Sequence, residues 1–266
     1  MNRVYMYLLI LLLVIPLPVA GYQYVMHRRA AFTGATDYTA DANCVGAWYM
    51  NGASASSETD RSANGYTLTL GGADNPSGSN VPSDYSGLSR RWDESSSEYM
   101  YSTSLEVAGV NQHITGACWV YFLGMTNKAA ILSAWNSLSD DRSWQFIYKT
   151  DPILRVQMST DGIVTTPQHD ITFPTTLTSS WVHIAFTYDD VQTIIYTNAV
   201  AVSTNAYTGG MFDSIADFNV GANLDGSASY LEGRIDEVIV FDRALSDAEI
   251  LEIYTSGIDG TKGGND

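Results

Sequence analysis

About a dozen short apolar runs, broken by turn residues, follow one another between residues 44 and 241, and this rhythm limits the fold more than any other property of the chain. The runs are Cys44–Met50, Tyr66–Leu70, Glu98–Ser102, His113–Leu123, Ala129–Trp135, Ser143–Lys149, Ile153–Ser159, Ile171–Phe173, Trp181–Tyr188, Gln192–Thr197, Val200–Ser203, Phe218–Gly221 and Gly233–Phe241. Runs of such length and spacing are the strands of a sandwich or barrel. Turn chemistry stands between them, as in Gly71-Gly72-Ala73-Asp74-Asn75-Pro76, Asp161-Gly162 and Gly209-Gly210. Trp181–Tyr188 alternates with period two: Val182, Ile184, Phe186 and Tyr188 share one face, and Trp181, His183, Ala185 and Thr187 the other. Seventeen Tyr, 22 Gly and only 16% charged residues agree with β-structure. The pattern predicts one domain over 44–257, with a lead-in segment over 22–43 and a polar tail over 258–266.

The first 21 residues read differently. Arg3 precedes the uncharged stretch Leu8–Ile15, then Pro16, Pro18 and the small residues Ala20 and Gly21, the order of a secretory signal peptide. Val19 and Gly21 would flank a cut before Tyr22. The stretch is short for a spanning helix, and an uncleaved anchor is the alternative. The expected location is therefore secreted or cell-surface. Export bears on the two cysteines, Cys44 and Cys118, which form either a disulfide or two buried thiols. With 13 Lys and Arg against 29 Asp and Glu, the net charge of −16 makes nucleic acid and anionic lipid poor partners.

A single helix is marked near the end. Ser246 and Glu249 spell a capping box, Leu245 and Ile250 stand at staple positions, and Gly257 supplies a stop. Ile250, Leu251 and Tyr254 fall at helical spacing and are expected to face the sandwich. Just before it runs Gly233-Arg234-Ile235-Asp236-Glu237-Val238, followed by Phe241 and Arg243-Ala244-Leu245-Ser246. This stretch resembles the closing strand and helix of the laminin G-like, concanavalin A-like jelly-roll family. Trp181-Val182-His183-Ile184-Ala185-Phe186-Thr187-Tyr188-Asp189, Ile114–Val120 and Asp60-Arg61-Ser62-Ala63-Asn64-Gly65 resemble further family segments in family order. The resemblance covers nearly all of 44–257 and implies an all-β antiparallel jelly-roll sandwich with one short C-terminal helix. It also implies a structural calcium, which carries over to Asp60 and Asp236 with carbonyls near Ser62 and Asn64, since calcium takes oxygen ligands.

Catalytic patterns are absent from the sequence. Glu232, Asp236 and Glu237 do not have the alternate spacing of jelly-roll glucanase carboxylates, and neither G-x-S-x-G nor H-E-x-x-H occurs. The turn with Asp140, Asp141 and Arg142 lies between Trp135 and Trp144 and reads either as a solvated tip or as a sugar- or ion-binding loop. Trp135 and Asn136 there offer a stacking face and a polar group beside Asp140 and Asp141. The expectation is a non-catalytic recognition or adhesion module for a glycan or cell-surface ligand. The alternative is a structural subunit of a surface assembly that self-associates as a homo-oligomer, and a glycan-active hydrolase comes third.

Overall fold

A computed structural model describes residues 35–262, apart from 53–56, 73–76, 80, 83–84, 86, 104, 106–112, 124–127, 150, 164, 175–178 and 224–228. The predicted signal segment lies outside the described residues. The strands are β1 (Cys44–Trp48), β2 (Thr69–Gly71), β3 (Ser77–Ser79), β4 (Ser89–Trp92), β5 (Tyr99–Ser102), β6 (Ile114–Phe122), β7 (Ala129–Asn136) and β8 (Asp141–Lys149). They continue as β9 (Ile153–Met158), β10 (Gln168–Thr172), β11 (Trp181–Tyr188), β12 (Gln192–Thr197), β13 (Val200–Ala206), β14 (Phe218–Val220) and β15 (Gly233–Phe241). Helix α1 (Asp247–Ser256) follows. All named pairs are antiparallel, in two sheets. The eight-stranded sheet runs β13-β12-β11-β6-β15-β4-β3, with β1 beside the second half of β15; the seven-stranded sheet runs β10-β9-β8-β7-β14-β5-β2.

The inner faces of the two sheets share the main core, which includes Trp48, Trp92, Trp144, Phe146, Phe186 and Phe218. A second core lies on the outer face of the eight-stranded sheet, where Ala47, Ala117, Ile239 and Phe241 meet Ile250 and Ile253 of α1. Strand β15 serves both. Between Asp236 and Ile239 its register with β6 slips by one residue, and Glu237 takes φ 50°. That bulge turns both Ile235 and Val238 toward the main core, three residues apart, where plain alternation would set them on opposite faces. At the side where β13 and β10 are the outermost strands, His169 of β10 bridges the sheets: Nδ1 is 2.7 Å from Thr193 Oγ1 of β12 and Nε2 is 2.9 Å from Ser203 Oγ of β13.

The capping box of α1 forms as the sequence predicts, and Gly257 ends the helix at φ 82°. The buried face differs from expectation: Ile250 and Ile253 are buried, while Leu251 is exposed. The folded unit also extends beyond 44–257. Tyr38 donates its N–H to the Ile258 carbonyl at 2.9 Å, and both side chains are buried in the second core.

One expectation needs correction. Cys44 and Cys118 are free and buried. Cys118 belongs to the main core and Cys44 to the second, so the two thiols lie on opposite faces of the same sheet, two strands apart. No bridge can join them. The two aspartates expected to hold calcium lie in different surroundings. Both oxygens of Asp60 are occupied by protein donors: Oδ1 accepts from the Ala47 N–H (2.9 Å) and the Ser62 N–H (2.8 Å), and Oδ2 from the Ser62 hydroxyl (2.7 Å) and the Tyr66 N–H (2.8 Å). Asp60 thus organises the opening turn. Asp236 lies elsewhere, buried in the bulge, where its Oδ1 accepts the Glu237 N–H at 3.0 Å. Burial, then the neighbouring Glu237 and Glu58 carboxylates, hold its carboxyl well above the usual range. Among the described residues no three His, Cys, Asp or Glu side chains form a metal-binding group.

His183 faces the second core side of β11, fully buried against Trp119 (ring centroids 5.5 Å) and Tyr254 (5.7 Å). Burial pushes its pKa down to about 3. The unfolded chain takes a proton near pH 6.5 that the folded chain refuses, so stability is lost as pH falls from there toward 3. Between pH 7 and pH 4.5 this residue withdraws about 2–3 kcal/mol. His183→Phe keeps a ring in the same place and is expected to gain that amount on the wild type over the same interval, measured by urea unfolding. Asp60→Asn leaves two of four donors without an acceptor. It should cost about 2–3 kcal/mol of stability, by the same assay, and the cost should be indifferent to calcium or chelator.

Candidate ligand-binding face

The two sheets differ in what covers their outer faces. On the seven-stranded sheet, alternation sends Leu154, Val156, Trp144, Phe146, Phe218 and Met100 inward and their neighbours outward. The registers align the outward residues into one row across all seven strands: Gln168, Gln157, Gln145, Ser133, Asn219, Tyr101 and Thr69. Every member carries a hydroxyl or an amide, and none a charge. In the middle the row is closed over by the chain after β14. Ser133 Oγ donates to the Ala222 carbonyl (2.8 Å), Asn223 Nδ2 to Gln145 Oε1 (2.7 Å), and Gln145 Nε2 to Gln157 Oε1 (3.0 Å). Gln157 Nε2 then donates to the Thr165 carbonyl (2.7 Å).

The row opens toward β5 and β2. Tyr99 and Tyr101 point to the same side of β5, with Met100 between them in the core. Their ring centroids are 5.9 Å apart, and Tyr230 lies 6.2 Å from Tyr99; the interplanar tilts are 38° and 36°. All three rings are half-buried. Gly71 stands opposite Tyr99, and a Cβ there would come within 2.3 Å of the Tyr99 ring. Only glycine lets that ring lie down over β2. Beside Tyr101 in register is Asn219, whose Nδ2 donates to the Asp217 carbonyl at 2.8 Å. Its Oδ1 is buried with no hydrogen-bond partner among the described residues. Burial raises the Asp217 carboxyl above its ordinary value, and burial followed by the neighbouring tyrosines raises the Tyr99 phenol. The Tyr99 phenol therefore remains a donor at neutral pH. Flat aromatic faces edged with phenol hydroxyls suit a ring studded with hydroxyl groups.

The residues expected from sequence lie elsewhere, on the β7–β8 hairpin at one end of the sandwich. Trp135 is 3% exposed, with the Arg142 guanidinium 6.0 Å from its ring, so it has no face to offer a sugar. A register shift at Ala134/Trp135 accompanies this burial. Asn136 Oδ1 accepts the Leu138 N–H at 3.0 Å and caps the turn. Asp140 pairs with Arg142 at 3.0 Å, and Asp141 Oδ1 accepts the Ile215 N–H at 3.1 Å. The structure brings these residues together as a loop fastening. The tyrosines carry one signal in the sequence, the Tyr99-Met100-Tyr101 alternation. The acids weighed for hydrolysis are on the other sheet: Glu232 accepts from the Glu94 N–H at 3.0 Å, and Asp236 and Glu237 are buried.

No curated protein matches this chain in sequence. In structure it is similar to the receptor-binding domain of the botulinum neurotoxin C/D mosaic serotype (10% identity, TM-score 0.56, 80% of this chain and 51% of that one). It is also similar to the binding domain of botulinum neurotoxin DC in complex with rat synaptotagmin II (11%, TM-score 0.60, 80% and 52%). A third is the botulinum neurotoxin D ligand-binding domain in complex with N-acetylneuraminic acid (11%, TM-score 0.57, 80% and 50%). The chain spans about half the length of these structures, and at such identity the likeness is one of fold. The profile of the concanavalin A-like lectin/glucanases superfamily matches residues 94–251, more than half of the chain. With its two antiparallel sheets and closing helix, the chain belongs to that superfamily.

Proposed function

We propose that this chain is an exported, non-catalytic recognition module that binds carbohydrate at the Tyr99–Tyr101–Tyr230 platform. The observation that carries the reading is the Tyr99 ring laid over Gly71, with the Tyr101 and Tyr230 rings beside it. Stacking holds a sugar ring, and the phenol groups orient its hydroxyls. The lectin-like fold supports this reading, as do structural neighbours described in complex with N-acetylneuraminic acid or with synaptotagmin II. Export is expected from the N-terminal sequence, and no described helix is long and apolar enough to cross a membrane.

A second reading, self-association, has one observation in its favour. Strand β13 is the outermost strand of its sheet, has no charged residue, and exposes Val200 and Val202. Sizing the full chain over a concentration series distinguishes the two.

A glycan array probed with the full chain tests the first reading. Tyr99→Ala is expected to weaken the strongest retained glycan about tenfold, the loss of one stacking contact of about 1–1.5 kcal/mol. Gly71→Ala, which lifts the ring without removing it, should weaken the same glycan in the same direction. Binding that survives both variants unchanged, or no glycan retained by the wild type, would overturn the assignment.

A further inference from the structure

At one end of the sandwich three loops are drawn together by two side chains. Arg142 Nη1 donates to Asp140 Oδ1 (3.0 Å) and to the carbonyls of Gly162 (2.9 Å) and Ile163 (3.0 Å), while Nη2 donates to the Ser137 carbonyl (3.0 Å). Asp141 takes the third loop: its carbonyl accepts the Ser214 hydroxyl (3.3 Å) and its Oδ1 the Ile215 N–H. The loops pack closely. A Cβ on Gly162 would lie 2.4 Å from the Asp140 carbonyl oxygen and 2.9 Å from the Phe212 ring.

Each fastened loop presents one large aliphatic side chain to solvent. Leu138 is 77% exposed, Ile163 58% and Ile215 91%. Two residues from each stands an exposed aspartate: Asp140, Asp161 and Asp213. Arg142 is turned inward, onto Asp140 and the loop carbonyls. Aliphatic side chains held this far out by a network that does not need them mark an interaction surface. Their loops are ordered beforehand, so a partner meets little ordering cost.

We propose that these three tips dock a basic amphipathic segment of a protein partner, its apolar side chains among Leu138, Ile163 and Ile215 and its cations beside the three aspartates. Charge decides among occupants. A second copy would bring the same acidic rim and a net charge of −16 against this one. An anionic bilayer would be repelled, and the interior of any bilayer would desolvate the aspartates. A segment alternating Leu-like and Lys- or Arg-like residues satisfies both chemistries.

The test uses the full chain and a fluorescent synthetic Leu/Lys amphipathic helix, read by anisotropy. The triple variant L138S/I163S/I215S should bind the helix about tenfold more weakly than the wild type. The variant V191S/V200S/V202S removes three exposed aliphatics from another part of the surface and should bind as the wild type does. The variant D140N/D161N/D213N should weaken binding too and flatten its salt dependence, and it decides the matter if the first variant fails to fold. The proposal is overturned by absence of binding or by equal losses in the tip and valine variants. It is equally overturned if the tips instead support flotation with phosphatidylcholine vesicles or dimerisation.

Discussion

Strand β15 has β6 along one edge and β4 and then β1 along the other, so it lies at the centre of the eight-stranded sheet with both faces covered. A plain strand of nine residues could feed each core only at every second position. The extra residue at Asp236-Glu237 changes the phase midway, so that Ile235 and Val238 both fill the space between the sheets while Ile239 and Phe241 meet the helix. Two carboxyl groups are buried as a consequence. The main-chain turn at Glu237 and the packing of Ile258, whose N–H donates to Glu237 Oε2 at 2.8 Å, depend on that choice. The helix, the Tyr38 turn and the segment around Ile258 all rest on this doubly covered strand.

Covering one face of one sheet fixes which face is left for ligands. The helix, the lead-in turn and the 257–262 segment occupy the outside of the eight-stranded sheet, and it is the other sheet that keeps a row of amides and hydroxyls outward. Part of that row is spent internally on Ala222, Asn223 and Thr165. What is left accessible is the side near β5 and β2, where aromatic rings take over from amides. The uncharged character of the row is chemically apt in a chain so acidic overall, because it offers hydrogen bonds without electrostatic selection.

Local signals in the sequence were read well where local chemistry decides. The alternation of Trp181–Tyr188 became β11 with Val182, Ile184 and Phe186 inward, and Ser246 with Glu249 formed both halves of the capping box. Asp60 also behaved locally, closing its own turn. What failed was tertiary. Trp135 ends a strand beside a polar residue, which suggests exposure, yet Arg142 is anchored over it by carbonyls some twenty positions away in sequence. Cys44 and Cys118 could be assigned to faces only once β1 was known to pair with β15. Likewise Tyr99 and Tyr101 are neighbours by alternation, but Gly71 and Tyr230 join them only through pairing and chain return. Leu251 fits the helical period as well as Ile253 does, yet it is Ile253 that packs in the second core.

The hydrogen bond from Tyr38 to Ile258 places the points where the chain enters and leaves the folded unit side by side, against the outside of the eight-stranded sheet. The tyrosine platform is on the outside of the opposite sheet. A tether attached at either point would hold the unit by its back, with the platform turned away from whatever anchors it. The same geometry would allow the unit to be spliced into a surface loop of another protein without stretching that loop, which makes it a portable head whose orientation is set by its attachment.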